Sequence, residues 1–171
     1  EPYIPNDIPQ AIRILEISLT LESSAALYYI LGNFYFQLNN TGEAERYYRR
    51  ALTDFPDFLR VHKNLGLLTF RQERYDDAMK HITKSLVLGD VEARTYLMLG
   101  YCLSLKEYHQ SAESAFRTAL MYEPDTRDTK MLLAQSLLQQ SKYREASATF
   151  QELILERPND AKLWFHQANA H

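Results

Sequence analysis

Residues 28–56 read YYILGNFYFQLNNTGEAERYYRRALTDFP, and the rest of the chain repeats their landmarks. Gly32, Gly66 and Gly100 lie 34 residues apart, and the next two steps land on Ala134 and Ala168. A leucine precedes each of the first four: Leu31, Leu65, Leu99 and Leu133. Twelve residues after each small residue stands an alanine (Ala44, Ala78, Ala112, Ala146). Four further on comes a bulky apolar side chain (Tyr48, Ile82, Phe116, Phe150). Pro56, Pro124 and Pro158 close three of the periods, and Asp90 holds that slot in the second. A fixed period of this length signals stacked supersecondary units, none of which buries its apolar face alone.

Within each period the spacing predicts two helices. The Gly or Ala slots fall where the two would approach most closely, and the bulky slots fill the space between them. The prolines follow the second helix, which a residue without N–H cannot continue. Gly89 is expected to end the second helix of the period that lacks proline. The predicted pairs are 25–38 with 42–54, 59–72 with 75–88, 93–106 with 109–122, and 127–140 with 143–156. Residues 1–7 (EPYIPND) are expected to be extended, with Asn6 or Asp7 capping a following helix whose Ile8, Ile12, Leu15 and Leu19 share one face.

The pattern resembles the tetratricopeptide repeat family, whose motif runs W-x2-L-G-x2-Y, A-x3-F, A, P. Tyr28, Leu31, Gly32, Tyr35, Ala44, Tyr48, Ala51 and Pro56 follow it in the first copy, and Tyr96, Leu99, Gly100, Ala112, Phe116, Ala119 and Pro124 in the third. The second and fourth are looser, with His62 and Lys130 in the leading aromatic slot. The resemblance covers residues 25–171. It implies an all-α, right-handed α-solenoid of antiparallel helix pairs: a lead and partial repeat or cap over 1–24, repeats at 25–58, 59–92, 93–126 and 127–160, and the first helix of a fifth at 161–171. The chain starts at Glu1 rather than Met, and Trp164 and Phe165 would lack a covering helix. Both features are expected of a piece of a longer solenoid.

The sequence carries little sign of chemistry. HExxH, CxxC, GxSxG and glycine-rich phosphate loops are absent, so no catalytic residue, metal ligand or cofactor is assigned. The five histidines show no i, i+3 or i+4 pairing; His62 is read as a helix-contact residue, and His81 and His109 as lying near the surface. The lone Cys102 excludes an intrachain disulfide and reads as a small buried residue. A net charge of −3 argues against a nucleic-acid partner, and no apolar run reaches transmembrane length. The sequon Asn39-Asn40-Thr41 falls in a predicted turn and is read as accidental.

The resemblance instead implies a binding groove lined by the first helix of each repeat. Carried over slot by slot, the family's groove positions are Ala26, Tyr29, Asn33, Phe36 and Gln37 in the first repeat. Arg60, Lys63, Leu67, Phe70 and Arg71 hold them in the second, and Arg94, Leu97, Tyr101, Ser104 and Leu105 in the third. Asp128, Met131, Gln135, Leu138 and Gln139 hold them in the fourth. Apolar side chains here are surplus to a core on the opposite helix face, and Arg60, Lys63, Arg71 and Arg94 make the strip basic. The candidate partner-binding residues are therefore Tyr29, Asn33, Phe36, Arg60, Lys63, Asn64, Leu67, Phe70, Arg71, Arg94, Leu97, Tyr101, Met131 and Gln135. The expected partner is a protein or peptide segment with apolar and acidic residues. Some relatives hold a C-terminal carboxylate in a clamp of Lys, Asn and Arg. Asn33, Asn64 and Arg94 match that pattern, but Tyr29 and Met98 replace two of its cations. Three other roles remain open: that clamp in incomplete form, a targeting or regulatory module of a larger enzyme, and self-association through open repeat ends.

Overall fold

The computed structural model describes residues 7–170, so the extended lead expected before Asp7 lies outside the described residues, as does His171. Ten helices and no strand are found among them. They are α1 (Asp7–Leu21), α2 (Ala25–Gln37), α3 (Thr41–Asp54), α4 (Leu59–Arg71), α5 (Tyr75–Val87), α6 (Ala93–Leu105), α7 (His109–Tyr122), α8 (Arg127–Gln139), α9 (Tyr143–Glu156) and α10 (Ala161–Ala168). The chain divides into two compact units, one ending at Gly89 and the other starting at Asp90.

The turn inside each pair is built alike. Asn39, Glu73, Glu107 and Ser141 all take the left-handed conformation, at φ 58°, 60°, 63° and 59°. The next residue's N–H then reaches back to a carbonyl five residues earlier: Asn40 to Tyr35 and Arg74 to Thr69 at 2.9 Å, Tyr108 to Leu103 at 3.0 Å, Lys142 to Leu137 at 2.9 Å. These bonds satisfy carbonyls that the helix end leaves open. None of the four residues is glycine, so the sequence motif does not mark the slot.

The periodic glycines are sites of contact. A Cβ on Gly32 would lie 2.5 Å from the Tyr48 ring, on Gly66 3.0 Å from Ile82 Cγ1, and on Gly100 2.5 Å from the Phe116 ring. Each partner is the bulky residue of the same period, and Tyr48 and Phe116 are wholly buried. Gly89 has a different role. Its φ of +101° ends the run after α5, where its N–H meets the Leu86 carbonyl. Asp90, in the proline slot, is buried; it accepts bonds from the Glu92 N–H at 3.1 Å and the Thr95 hydroxyl at 2.7 Å, and so fixes the entry to α6.

In the first unit, Ile8 and Ile12 of α1 pack with Leu31 and Tyr47, with Leu15 and Leu19 against them. Tyr48, Ala51, Val61, Leu65 and Leu68 form the next cluster. In the second unit a single cluster runs from Ala112 and Phe116 through Leu133, Leu137 and Phe150 to Leu163 and Ala170. Cys102 is buried. The outer faces of α1 and α10 stay open: Ile17 is 63% exposed, Trp164 54% and Phe165 65%.

Candidate functional site

Every candidate residue lies on α2, α4, α6 or α8, the first helix of its pair, and none is fully buried. In the first unit, α2 supplies Tyr29, Asn33 and Phe36, and α4 supplies Arg60, Lys63, Asn64, Leu67, Phe70 and Arg71. Two contacts join the rows. The Arg71 guanidinium lies 5.3 Å from the centre of the Phe36 ring, and Asn64 Nδ2 donates to Asn33 Oδ1 at 2.8 Å. Arg60 and Arg71 are exposed and enter no ion pair among the described residues. Some other charges of this unit are paired: Glu45 joins Arg74 and Arg49, both at 2.7 Å, and Arg46 joins Glu43.

The expectation that these apolar side chains are surplus to the core needs correction. Tyr29 and Phe36 are half-buried and pack on the Tyr48 cluster. Tyr29 also meets Phe58, ring centres 5.1 Å apart, and Phe70 meets Tyr75 edge-on at 5.6 Å. A helix of this width turns its flanking positions partly inward, so one side chain serves core and surface together. Asn33 and Asn64 are likewise held. The Tyr48 hydroxyl donates to Asn33 Oδ1 at 2.8 Å and accepts from Asn64 Nδ2 at 3.1 Å. Burial raises the Tyr48 phenol's pKa above its ordinary value, with Asn64 opposing, so the group stays a neutral donor.

In the second unit, α6 carries Arg94, Leu97 and Tyr101, and α8 carries Met131 and Gln135. Tyr101 and Gln135 line one cavity of about 460 Å³, together with Ser104, Leu105, Leu132 and Gln139. His109 also borders it, and its buried Nδ1 has no hydrogen-bond partner among the described residues. Arg94 stands apart, beside Glu92, Tyr122 and Glu123 at another cavity. Leu97 and Met131 pack on the core cluster. Behind this face, burial works against the Glu113 carboxylate, but Lys142, Arg117 and Gln140 outweigh it and hold its pKa down to about 2. Lys142 and Gln140 meet its Oε2 at 2.7 and 2.9 Å.

One feature of the first unit was not legible in the sequence. His81, expected near the surface, is buried, and its Nδ1 lies 3.0 Å from Nδ1 of His62. The two are 19 residues apart, so no helical spacing reveals them. The signal was positional: Tyr28 and Tyr47 hold the same slots one period earlier, and their rings stack at 6.3 Å.

A family model described as tetratricopeptide repeat matches residues 107–168, and a second model of that description matches residues 6–57 and 31–93. The chain belongs to the tetratricopeptide repeat family. A curated relative, the tetratricopeptide repeat-containing protein trd-1 of Caenorhabditis elegans, is 24% identical over 103 residues. That match takes 58% of this chain and 13% of the relative. Among solved structures, YrrB, described as a TPR protein with an unusual peptide-binding site, aligns with a TM-score of 0.83 at 18% identity. The match covers 98% of this chain and 83% of that one. MamA from AMB-1 aligns at 0.79 with 23% identity, covering 91% and 85% of the two chains. A chain of the APC/C hetero-tetramer Cut9–Hcn1 aligns at 0.69 with 20% identity, covering 96% of this chain and 33% of that one. The fold class is therefore all-α, built of the antiparallel helix pairs of tetratricopeptide solenoids, a family of protein-interaction modules that are in general not catalytic. No helix among the described residues is long and apolar enough to cross a membrane.

Proposed function

We propose that this chain is a non-catalytic scaffold that captures an extended or helical segment of a partner protein on its first-helix faces. The observation that supports this best is Arg71, uncompensated by any acid among the described residues, lying over the half-buried Phe36 ring, with exposed Arg60 on the same helix. An acidic group would meet the guanidiniums, and apolar side chains would cover the rings. The likeness to YrrB, which has a peptide-binding site, supports the same class of partner. In the first unit the face would use the repeats at 25–58 and 59–92; in the second, the repeats at 93–126 and 127–160 would offer Arg94, Leu97, Tyr101, Met131 and Gln135 on their own first helices. The carboxylate clamp is disfavoured, because Met98 is buried at a cation slot and Asn33 and Asn64 already satisfy Tyr48.

A second reading is a targeting or regulatory module of a larger enzyme. It draws on the small share, 13%, of the curated relative that this chain spans. The test of the groove is affinity capture with the parent chain and with R60E/R71E, followed by titration of synthetic peptides from the captured proteins. Peptides that bind the parent and not the variant support the groove. Equal binding to both overturns it.

A further inference from the structure

We propose that the buried His62–His81 pair is an acid-sensitive latch that holds α4, and with it Arg60, Asn64 and Arg71, against α5, and that opens in acid as His81 takes up a proton. The proposal rests on the groove reading for its consequence, the loss of the binding strip, but not for the latch itself.

The hydrogen bonds fix the tautomers. His62 Nε2 lies 2.8 Å from the Pro56 carbonyl, which only accepts, so Nε2 carries the proton and Nδ1 presents a lone pair. His81 Nδ1, at 3.0 Å, must then donate. The contact needs one proton between the two Nδ1 atoms, and a pair of neutral rings supplies it. A first added proton puts a charge on a buried imidazole. A second leaves two N–H groups facing each other across the contact, which cannot then survive.

The surroundings oppose that charge. Around His81 stand Arg49 from α3, Lys80 and Asp77 from α5, and His62 from α4; only Asp77 favours a cation. Around His62, the turn before α4 contributes Asp57, which is already paired with Lys84 of α5 at 2.7 Å. Burial, then His62, Arg49 and Lys80, pull the His81 pKa down from 6.5 to about 4. The sign follows from linkage. A group whose folded pKa is depressed contributes stability above its free value, lost as pH falls through the folded one, here between 6.5 and 4. A freed His81 would bind a proton in that window, so opening takes one up.

Neighbouring periods show that the slots do not require histidine. Tyr28 and Tyr47 fill them one period earlier, and Tyr96 and Ala115 one period later. Groups that do not titrate near neutrality thus hold equivalent helix pairs together, and only this pair can respond to mild acid.

The experiment is hydrogen exchange of α4 and α5 amides in the full chain between pH 7 and 4, corrected for intrinsic rates, alongside imidazole nitrogen NMR. The expected result is neutral rings of the stated tautomers at pH 7 and a loss of protection confined to the first unit, up to about tenfold per pH unit. H62Y/H81Y, which copies Tyr28 and Tyr47, should remove that dependence. If the double variant does not fold, His81→Ala, which copies Ala115, should flatten the slope. The proposal is overturned if His81 titrates near 6.5 without change in α4 exchange, or if the variant loses protection with the same slope as the parent. Neither readout involves a partner, so failure of the groove reading would leave this result standing.

Discussion

Gly100 and Phe116 occupy one another's space: a Cβ added to the glycine would sit 2.5 Å from the buried aromatic ring. The ring cannot swing away, since it is wholly enclosed by the core of the second unit. Gly100→Ala should therefore destabilise that unit by about 1–3 kcal/mol through overpacking, read as a lower denaturation midpoint with unchanged slope. Gly100→Ala with Phe116→Leu should recover part of the loss. A single variant as stable as the parent would mean that the helices are farther apart than this.

Asn64 tests whether the groove asparagines are for ligand or for fold. Its amide serves both Asn33 and Tyr48. Asn64→Ala should cost about 1–2 kcal/mol in the absence of any partner, because it leaves a half-buried acceptor short of a donor. A stability equal to the parent's, with binding lost, would assign the residue to the ligand instead.

Arg60 should act on encounter more than on residence. Arg60→Glu should slow association with an acidic peptide several-fold at low salt and leave the helical circular dichroism unchanged, since the side chain is exposed. Raising the salt should narrow the gap between variant and parent. Phe36→Ala, by contrast, should speed dissociation and lower stability by about 1 kcal/mol or more, because the ring also packs on the core.

Glu113 sets an acid limit on the second unit. Its carboxyl pKa is depressed from 4.5 to about 2, so its contribution is fully present above 4.5 and is lost as pH falls toward 2. Glu113→Gln should flatten the fall in stability over that range, measured by urea midpoints at successive pH values. A parent and variant with parallel profiles would rule the carboxylate out as the cause.

Glu73 stands at a left-handed turn, φ 60°, without a glycine's freedom. Glu73→Gly should stabilise by up to about 1 kcal/mol, as relief of the backbone strain outweighs the added entropy of the unfolded chain. A lower midpoint would show that the glutamate side chain holds the turn.

The helices were readable because the period is long and strict: α4 was expected over 59–72 and runs Leu59–Arg71. The groove positions were readable as places on a helix, but not as contacts. Nothing in Tyr29 or Phe36 as letters says that half of each ring is spent on the Tyr48 cluster. The recurring left-handed slot has no mark in the sequence, because Asn, Glu, Glu and Ser share no chemistry.

The sequence by itself determined the number and pairing of the helices, since small residues and bulky ones recur where a close crossing needs each of them. It also determined the absence of recognisable catalytic motifs and the bias toward first-helix residues. Tertiary structure alone decided which polar side chains meet. Glu45 with Arg74, and His62 with His81, lie 29 and 19 residues apart on different helices. Their encounter depends on side-chain direction across a packed contact, and a one-dimensional spacing does not encode it.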